Sequence, residues 1–252
     1  MTEAKLVLQD ISVRISAGSE VKTLLNNINL TIDEGDFVTV LGTNGAGKST
    51  LFNTISGNLA ATEGSIRIAG VDLTRKSPEK RAKFISRVFQ DPKMGTAPRM
   101  SVAENLALAT HRGERLMFQS RQVRQQMSRF KELAQKSGNG LDLALDKPTE
   151  QLSGGQRQAL SLLMATIKLP ELLLLDEHTA ALDPHTSMAI MGLTNQIVTE
   201  NKLTALMITH QLDDALKYGN RLIVLDQGLI VADYNQQEKN EITKQELLEY
   251  FG

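Results

Sequence analysis

Residues 37–50 read FVTVLGTNGAGKST and are the part of the sequence that says most about the fold. Its first five residues form a continuous apolar run, which favours a strand buried on both faces of a parallel sheet. The next eight, residues 42–49, match the pattern G-x-x-x-x-G-K-[ST]. Glycines let such a loop curl until its N–H groups point at phosphate oxygens, and the helix that follows favours the same anion. The stretch therefore predicts a phosphate-binding loop between a buried strand and a helix.

The positions of this loop have distinct expected roles toward ATP and Mg²⁺. We expect Lys48 to reach the β- and γ-phosphates, Ser49 to ligate Mg²⁺ and Thr50 to donate to the α-phosphate. A glycine-rich turn that matches by chance is the alternative, but the strand before the loop and the helix after it favour the phosphate loop. The candidate nucleotide contacts are Gly42, Thr43, Asn44, Gly45, Ala46, Gly47, Lys48, Ser49 and Thr50.

Two adjacent carboxylates follow a second apolar run. Residues Leu172 to Leu175 predict a buried strand, and Asp176 and Glu177 come directly after it. In open α/β sheets, ligands bind at the carboxyl ends of the strands. We therefore expect Asp176 to hold Mg²⁺, directly or through water, and Glu177 to accept a proton from the attacking water. The alternative is a strand end that simply turns polar at the surface. The phosphate loop upstream favours the functional interpretation over this alternative.

The composition excludes several classes of function. The chain has 252 residues, enough for one α/β domain, and its lack of cysteine excludes disulfides, thiolate catalysis and zinc–thiolate sites. The formal net charge of −1 shows no electrostatic footprint for nucleic acid, so no nucleic-acid partner is expected. We find no secretory signal and no apolar run near the ~20 residues that cross a bilayer. We therefore expect a soluble, cytoplasmic chain whose membrane role comes through a partner.

The order of predicted elements indicates a single domain, residues 1–252, with an insertion. Residues 1–91 and 161–252 alternate strands and helices and form the expected α/β core. Residues 92–160 predict an inserted helical subdomain, which carries a capping box at 101–104. Further predicted elements are a turn at 17–20, short strands near 6–15 and at 28–32, 65–69, 85–89, 204–208, 221–225 and 229–232, and helices at 49–55, 101–110, 121–136, 152–168 and 243–250.

Residues 152–156 read LSGGQ, a run that resembles the signature sequence of ABC ATPases. By itself, the run is also consistent with a loop and a helix start capped by Ser153. Its position between a phosphate loop and an acidic strand end favours the signature. The resemblance covers essentially the whole chain. It implies an α/β fold, the P-loop NTPase fold of ABC type, with an N-terminal antiparallel β subdomain and an inserted helical subdomain.

The resemblance implies further site residues. Gln90 resembles the family's Q-loop glutamine, residues 180–183 resemble its D-loop, and His210 resembles its switch histidine. The three other histidines are expected to be structural. The implied catalytic residues are Lys48, Gln90, Glu177 and His210, the implied metal residues are Ser49, Gln90 and Asp176, and the further nucleotide contacts are Ser153, Gly154, Gly155, Gln156 and Asp183.

The resemblance also implies a homodimer. Two copies face each other head to tail, and each ATP lies between the phosphate loop of one copy and the signature of the other. Ser153 and the backbone at Gly154 and Gly155 would bind the γ-phosphate from across the interface. Hydrolysis removes the ligand that holds the dimer together, so the dimer opens. Within one copy, the signature should therefore lie too far from the phosphate loop to touch the same ATP.

Two features depart from the family pattern. Most members stack adenine on an aromatic residue of the N-terminal strands, but this chain has no aromatic residue before Phe37. We expect an aliphatic platform, Ile15 or Val21, and weaker discrimination between bases. In addition, His178 stands where proline is common and Ala180 where serine is common, and the sequence does not explain either substitution.

Three kinds of machine are consistent with these motifs: an importer with separate permease and substrate-binding subunits, an exporter or lipoprotein-release system, and a soluble non-transport ABC ATPase. The single phosphate loop excludes tandem translation factors. Residues 91–98 and 176–183 most resemble bacterial importer ATPases that pair with branched-chain-amino-acid-like permeases and are often assigned to aromatic amino acids. We therefore expect attachment to the cytoplasmic face of the membrane, with the permease docking near residues 90–105, where Met94 and Met100 are expected to be exposed.

Overall fold

The structure of the chain is a computed structural model that describes residues 4–17, 20–114 and 123–251. These residues form two sheets and a set of helices. The strands are β1 (Ala4–Ala17), β2 (Glu20–Asp33), β3 (Phe37–Leu41), β4 (Glu63–Ile68), β5 (Val71–Asp72), β6 (Ile85–Val88), β7 (Leu172–Asp176), β8 (Ala205–Ile208), β9 (Arg221–Asp226) and β10 (Leu229–Tyr234). The helices are α1 (Lys48–Ser56), α2 (Pro78–Arg81), α3 (Val102–Thr110), α4 (Val123–Gln135), α5 (Gly154–Thr166), α6 (Pro184–Glu200), α7 (Leu212–Lys217), α8 (Gln236–Glu241) and α9 (Lys244–Leu248).

The N-terminal part contains an antiparallel sheet, as predicted, and its strands have the order β2-β1-β4-β5. Its first two strands have 14 residues each, so the prediction of several short strands was wrong. The register of β1 against β2 shifts repeatedly, and Asp10 and Asn27 have left-handed backbone at φ 52° and 49°. Such bulges interrupt the alternation of inward and outward residues, so one strand resembles two in the sequence. Of the predicted turn at 17–20, residues 18 and 19 lie outside the described residues.

The second sheet has the order β10-β9-β3-β8-β7-β6 and is parallel except for its β9–β10 edge. In β7, Leu172 and Leu174 pack into one core and Leu173 and Leu175 into the other. Because both faces are covered, apolar residues are favoured at every position, which explains the continuous runs. The strands predicted from those runs are confirmed. Since β3, β8 and β7 are neighbours, the residues that follow their carboxyl ends meet at one edge of the sheet.

Two large apolar cores hold α1 and α3 to α6 against the sheets, and a smaller apolar cluster holds α7 and α9 against β9. One joins the antiparallel sheet and one face of the parallel sheet to α1, whose Leu51, Phe52 and Ile55 are buried in it. The other joins the opposite face of the parallel sheet to α3, α4, α5 and α6. Burial of a Leu or Phe side chain stabilises the fold by roughly 1.5–3 kcal/mol. The helices that follow the phosphate loop and the signature are therefore held firmly in place.

Helix ends follow the predicted local signals. Capping boxes start α3 at Ser101 and α9 at Thr243, and Gly57 ends α1 with φ 85°. The helix predicted from residue 121 is described from Val123, because residues 121 and 122 lie outside the described residues. The terminal helix is shorter than predicted, since α9 ends at Leu248 and a 3₁₀ turn follows it.

The described residues of the segment predicted as a helical subdomain form α3, α4 and three 3₁₀ turns, and α5 begins in it. Helix α5 runs from Gly154 to Thr166, so it crosses the expected boundary at residue 160. The division into a core and a helical subdomain stays a prediction. Within the described ranges, no helix is both long and apolar enough to cross a membrane.

Candidate functional site

The phosphate loop connects β3 to α1, as predicted. Gly47 caps α1 with φ 106°, a left-handed conformation that residues with a side chain rarely adopt. The buried Lys48 side chain donates from Nζ to the carbonyl oxygens of Gly42 at 2.7 Å and Thr43 at 2.9 Å. The loop is therefore curled around its own lysine.

A cavity of about 550 Å³ opens beside this loop. Its lining from the loop and the start of α1 is Asn44, Gly45, Gly47, Lys48, Ser49 and Thr50. Glu177 and Gln227 reach the cavity from the ends of β7 and β9, and residues 22–24 reach it from β2. The expected adenine platforms Ile15 and Val21 are exposed on the β1–β2 pair, and their neighbours at 22–24 form the wall. Gln227 and residues 22–24 were not identified as site residues from the sequence, because they belong to no recognisable motif.

Glu177 and His210 meet at the edge of the sheet. Strands β7 and β8 are adjacent, and Nδ1 of His210 lies 3.5 Å from Oε2 of Glu177. Glu177 has φ 42°. Backbone strain of this kind clusters at functional sites, where the surrounding structure holds it. Glu177 borders the phosphate-loop cavity, so a group that can accept a proton lies at the edge of this cavity.

The site combines a buried cation with two carboxylates. Burial lowers the pKa of Lys48, while the charges of Glu177 and Asp176 act in the opposite direction. The three groups are thus close enough to interact. A phosphate next to Lys48 would stabilise the protonated amine, because an opposite charge compensates for desolvation.

Asp176 contacts a residue that the sequence analysis missed. Its Oδ2 accepts a hydrogen bond from Nη2 of Arg87, on the adjacent strand β6. Arg87 in turn donates from Nη1 to Oδ1 of Asn53, in α1, at 2.7 Å. Asp176, Asn53 and Gln90 border a second cavity of about 890 Å³. The signal that could have revealed Arg87 is a charged residue inside an otherwise apolar strand, which is rare without a partner.

Oxygen donors that suit a magnesium ion arriving with a nucleotide border the two cavities: Ser49 borders the first, and Asp176 and Gln90 border the second. The Ser49 hydroxyl, the Asp176 carboxylate and the Gln90 amide oxygen are hard ligands of the kind that Mg²⁺ prefers. In the part of the chain that the structure describes, no group of three His, Cys, Asp or Glu residues could hold a metal alone. Mg²⁺ commonly binds through one or two carboxylates together with phosphate oxygens and water, so the donor set suits a shared ion.

The signature run lies at the start of α5. Ser153 caps the helix: its Oγ accepts from the Gln156 N–H at 3.2 Å, and Oε1 of Gln156 accepts from the Ser153 N–H at 3.2 Å. A Cβ at Gly155 would lie 2.4 Å from Cγ2 of Thr186 in α6, so a side chain there would force Thr186 to move. Ser153 and Gly154 are exposed. Among the described residues that line the two cavities, none belongs to 152–156.

Asp183 and His178 make local contacts around α6. Oδ1 of Asp183 accepts from the Thr186 N–H at 3.1 Å, which caps the helix, and hydrogen bonds from Thr186 lower the pKa of Asp183. His178 is buried, its Nε2 lies 2.9 Å from Oγ1 of Thr194, and burial lowers its pKa to about 4. His178 therefore ties the segment after Glu177 to α6. Nothing in the structure explains Ala180.

A family model for ABC transporters matches residues 25–180. That range covers more than half of the chain and contains the phosphate loop, the signature and the acid pair. The chain belongs to the ABC transporter family. It is accordingly an ATP-binding ATPase subunit of a transporter.

Two similar proteins are themselves ATP-binding proteins of transport systems. The chain is 45% identical over 234 residues to a tyrosine transport ATP-binding protein of Clostridioides difficile, with 92% of each chain covered. It is 35% identical over 235 residues to the thiamine import ATP-binding protein ThiQ of Photobacterium profundum, covering 93% of this chain and 92% of that one.

Solved structures show the same fold. A dimeric post-hydrolysis state of an ATP-binding cassette, bound to ADP and Pi, matches with a TM-score of 0.78 and 28% identity, covering 92% of this chain and 98% of that one. The ADP conformation of an ATP-binding cassette of an ABC transporter matches with a TM-score of 0.80 and 26% identity, covering 99% of both chains.

Proposed function

We propose that this ABC ATPase powers the import of a small solute, an amino acid of the aromatic class, into a bacterial cell. The observation that carries the proposal is the 45% identity to a tyrosine transport ATP-binding protein, which extends over 92% of both chains. The similarity to a thiamine import protein supports import as the direction of transport. A permease and a separate substrate-binding protein would select the cargo.

In this proposal, residues at the edge of the parallel sheet carry out ATP hydrolysis. Lys48, Ser49 and Thr50 hold the phosphates at the start of α1, where the backbone N–H groups and the helix dipole favour an anion. Glu177 accepts the proton of the attacking water, and His210 lies next to it. Mg²⁺, held through Ser49, Gln90 and Asp176, would neutralise charge on the β- and γ-phosphate oxygens. Positioning and charge stabilisation supply most of the catalysis in this chemistry.

Each ATP lies between two copies in the proposed mechanism. The signature residues that would contact the γ-phosphate do not border the phosphate-loop cavity of their own chain. Ser153 and Gly154 are exposed at the N-terminus of α5, where they are accessible to the nucleotide of a second copy. Asp183 lies near the same surface, at the start of α6. ATP binding would therefore close the dimer, and hydrolysis would let it open.

The permease is proposed to dock beside the segment 90–105. A cavity of about 430 Å³ opens there between β6, α3 and α5, and Phe89 and Gly95 lie in its wall. Met94 is 71% exposed, as predicted, which suits an adaptable apolar contact. Met100 is only partly exposed, so the prediction for that residue was wrong. Docking here would attach the ATPase to the cytoplasmic face of the membrane.

The test is transport in proteoliposomes that contain the cognate permease, with the binding protein outside or in the lumen and this chain supplied with ATP. Import predicts ATP-dependent movement of labelled tyrosine or phenylalanine toward the side that carries the ATPase, only when the binding protein is on the opposite side. The Glu177→Gln variant is the control, and it should bind ATP without transport. Movement in the opposite direction would indicate an exporter, and failure to associate with any permease would indicate a soluble ATPase.

A further inference from the structure

Arg87 forms an ion pair with Asp176 at the edge of the site. Nη2 of Arg87 donates to Oδ2 of Asp176, and the two side chains are only 10% and 14% exposed. Within the described residues, this pair connects β6 to the carboxylate proposed to hold Mg²⁺. A positive charge is therefore already present where a metal cation would act.

The guanidinium of Arg87 is also anchored by groups other than Asp176. Nη1 donates to Oδ1 of Asn53 at 2.7 Å. The rings of Phe89 and Phe52 lie 4.9 Å and 5.9 Å from the guanidinium carbon, within the range of cation–π attraction. These contacts come from α1 and from the residue after β6. The charge is thus fixed in position and does not depend on Asp176 to hold it there.

Fold stability alone does not account for this arginine. Its Nε is buried and has no hydrogen-bond partner in the described part of the chain. An unsatisfied buried N–H group is destabilising. Buried ion pairs are frequently no more stabilising than apolar residues of similar volume. Val88, next to Arg87, and Ile85, two positions before it, are buried and apolar, so an apolar side chain would suit this part of the strand.

We propose that Arg87 is a resident counter-ion of Asp176 that weakens its attraction for Mg²⁺. The inference rests on the proposed role of Asp176 as a magnesium residue. With Arg87 in place, an incoming ion meets a nearly neutral pair instead of a free carboxylate. Mg²⁺ is then retained only while nucleotide phosphates add their negative charge. Arg87 is a positioning residue in this scheme: it acts on the metal through Asp176 and sets the metal requirement of the site.

The test compares Mg²⁺ requirements in the absence of turnover. The probes are the Mg²⁺ concentration that half-saturates tight binding of a fluorescent ADP analogue, and the binding of Mn²⁺ to nucleotide-free protein by electron paramagnetic resonance. Arg87→Met removes the charge and keeps a long apolar stem. It should lower the half-saturating Mg²⁺ concentration about tenfold and increase Mn²⁺ binding without nucleotide. Arg87→Lys keeps the charge and should stay near the wild type.

Two further variants control for folding and for total charge. Arg87→Gln removes the charge but retains a hydrogen-bond donor, so it should shift the Mg²⁺ requirement in the same direction if the methionine variant folds poorly. Arg67→Met makes the same change in net charge on the exposed face of β4, in the other sheet, and should behave as the wild type. An unchanged or higher Mg²⁺ requirement in both neutral variants of Arg87 would overturn the proposal.

Asp176→Asn separates this inference from the function on which it rests. If Asp176 holds Mg²⁺, the asparagine variant should need more Mg²⁺, and adding Arg87→Met to it should lower the requirement by less than the same change does in the wild type. If Asp176→Asn leaves the Mg²⁺ requirement unaltered, the metal role of Asp176 is wrong and the inference fails with it. If Asp176→Asn raises the requirement while neutral variants of Arg87 do not lower it, only the counter-ion role fails.

Discussion

Thr194→Val should destabilise the fold by leaving His178 without a hydrogen-bond partner. Oγ1 of Thr194 donates to the carbonyl of Ile190 at 2.8 Å, so its lone pair accepts from Nε2 of His178 at 2.9 Å. The imidazole is neutral near pH 7, because burial lowers its pKa to about 4. Valine has nearly the same shape as threonine but offers no acceptor. The variant therefore tests one buried hydrogen bond with little change in packing.

The magnitude follows from the burial of both partners. His178 is 2% exposed and Thr194 is fully buried, so water cannot replace the lost acceptor. An unsatisfied buried donor costs roughly 1–3 kcal/mol. For a chain of this size, a loss of about 2 kcal/mol lowers the melting temperature by about 4–8 °C. The Ile190 carbonyl remains bonded within α6, so no second orphaned group adds to the effect.

The assay is urea and thermal unfolding of Thr194→Val beside Thr194→Ser. Serine keeps the hydroxyl and loses one buried methyl group, which costs about 1 kcal/mol. We expect valine to be the less stable variant. A valine variant as stable as the wild type, with serine clearly weaker, would show that packing and not the hydrogen bond holds the segment after Glu177.

Three further predictions concern nucleotide chemistry and helix capping. Glu177→Gln should keep ATP binding but nearly stop hydrolysis, and ATP should shift it to a dimer in size-exclusion chromatography; hydrolysis at the wild-type rate would remove Glu177 from its role. The wild type should bind ATP and GTP with similar affinity, and Ile15→Tyr should tighten ATP binding by about 1–3 kcal/mol, because tyrosine can stack on the base. Calorimetry measures both affinities. A strong preference of the wild type for ATP would contradict the prediction. Ser101→Ala should destabilise α3 by about 1 kcal/mol, whereas Ser101→Asp should retain the cap, as measured by thermal unfolding; equal stability of the two would contradict the capping role.

The parts of the site that the sequence predicted depend on neighbours in the chain. The phosphate loop needs only a strand, a set of glycines and a helix start, and all of these lie within residues 37–56. The meeting of Glu177 and His210 could be predicted because each follows an apolar strand, and parallel strands end at one edge of the sheet. The capping boxes at Ser101 and Thr243 are equally local.

The parts that the sequence did not predict depend on contacts between distant residues. Arg87 and Asp176 are 89 positions apart, and Arg87 and Asn53 are 34 apart. No periodicity joins such pairs, since the order of strands in the sheet brings them together. The long strands β1 and β2 were missed for another reason: their bulges reverse which residues face the core.

In the proposed dimer, each ATP is hydrolysed between the phosphate loop of one copy and the signature of another. Mixing two inactive variants is the sharpest test of this shared site. Lys48→Ala disables the phosphate loop and Ser153→Arg blocks the signature, so each pure dimer should be inactive. A mixed dimer restores one complete site, made of the intact phosphate loop of one copy and the intact signature of the other. ATP hydrolysis well above that of either variant alone is the predicted result. A mixture as inactive as its components would contradict the shared site.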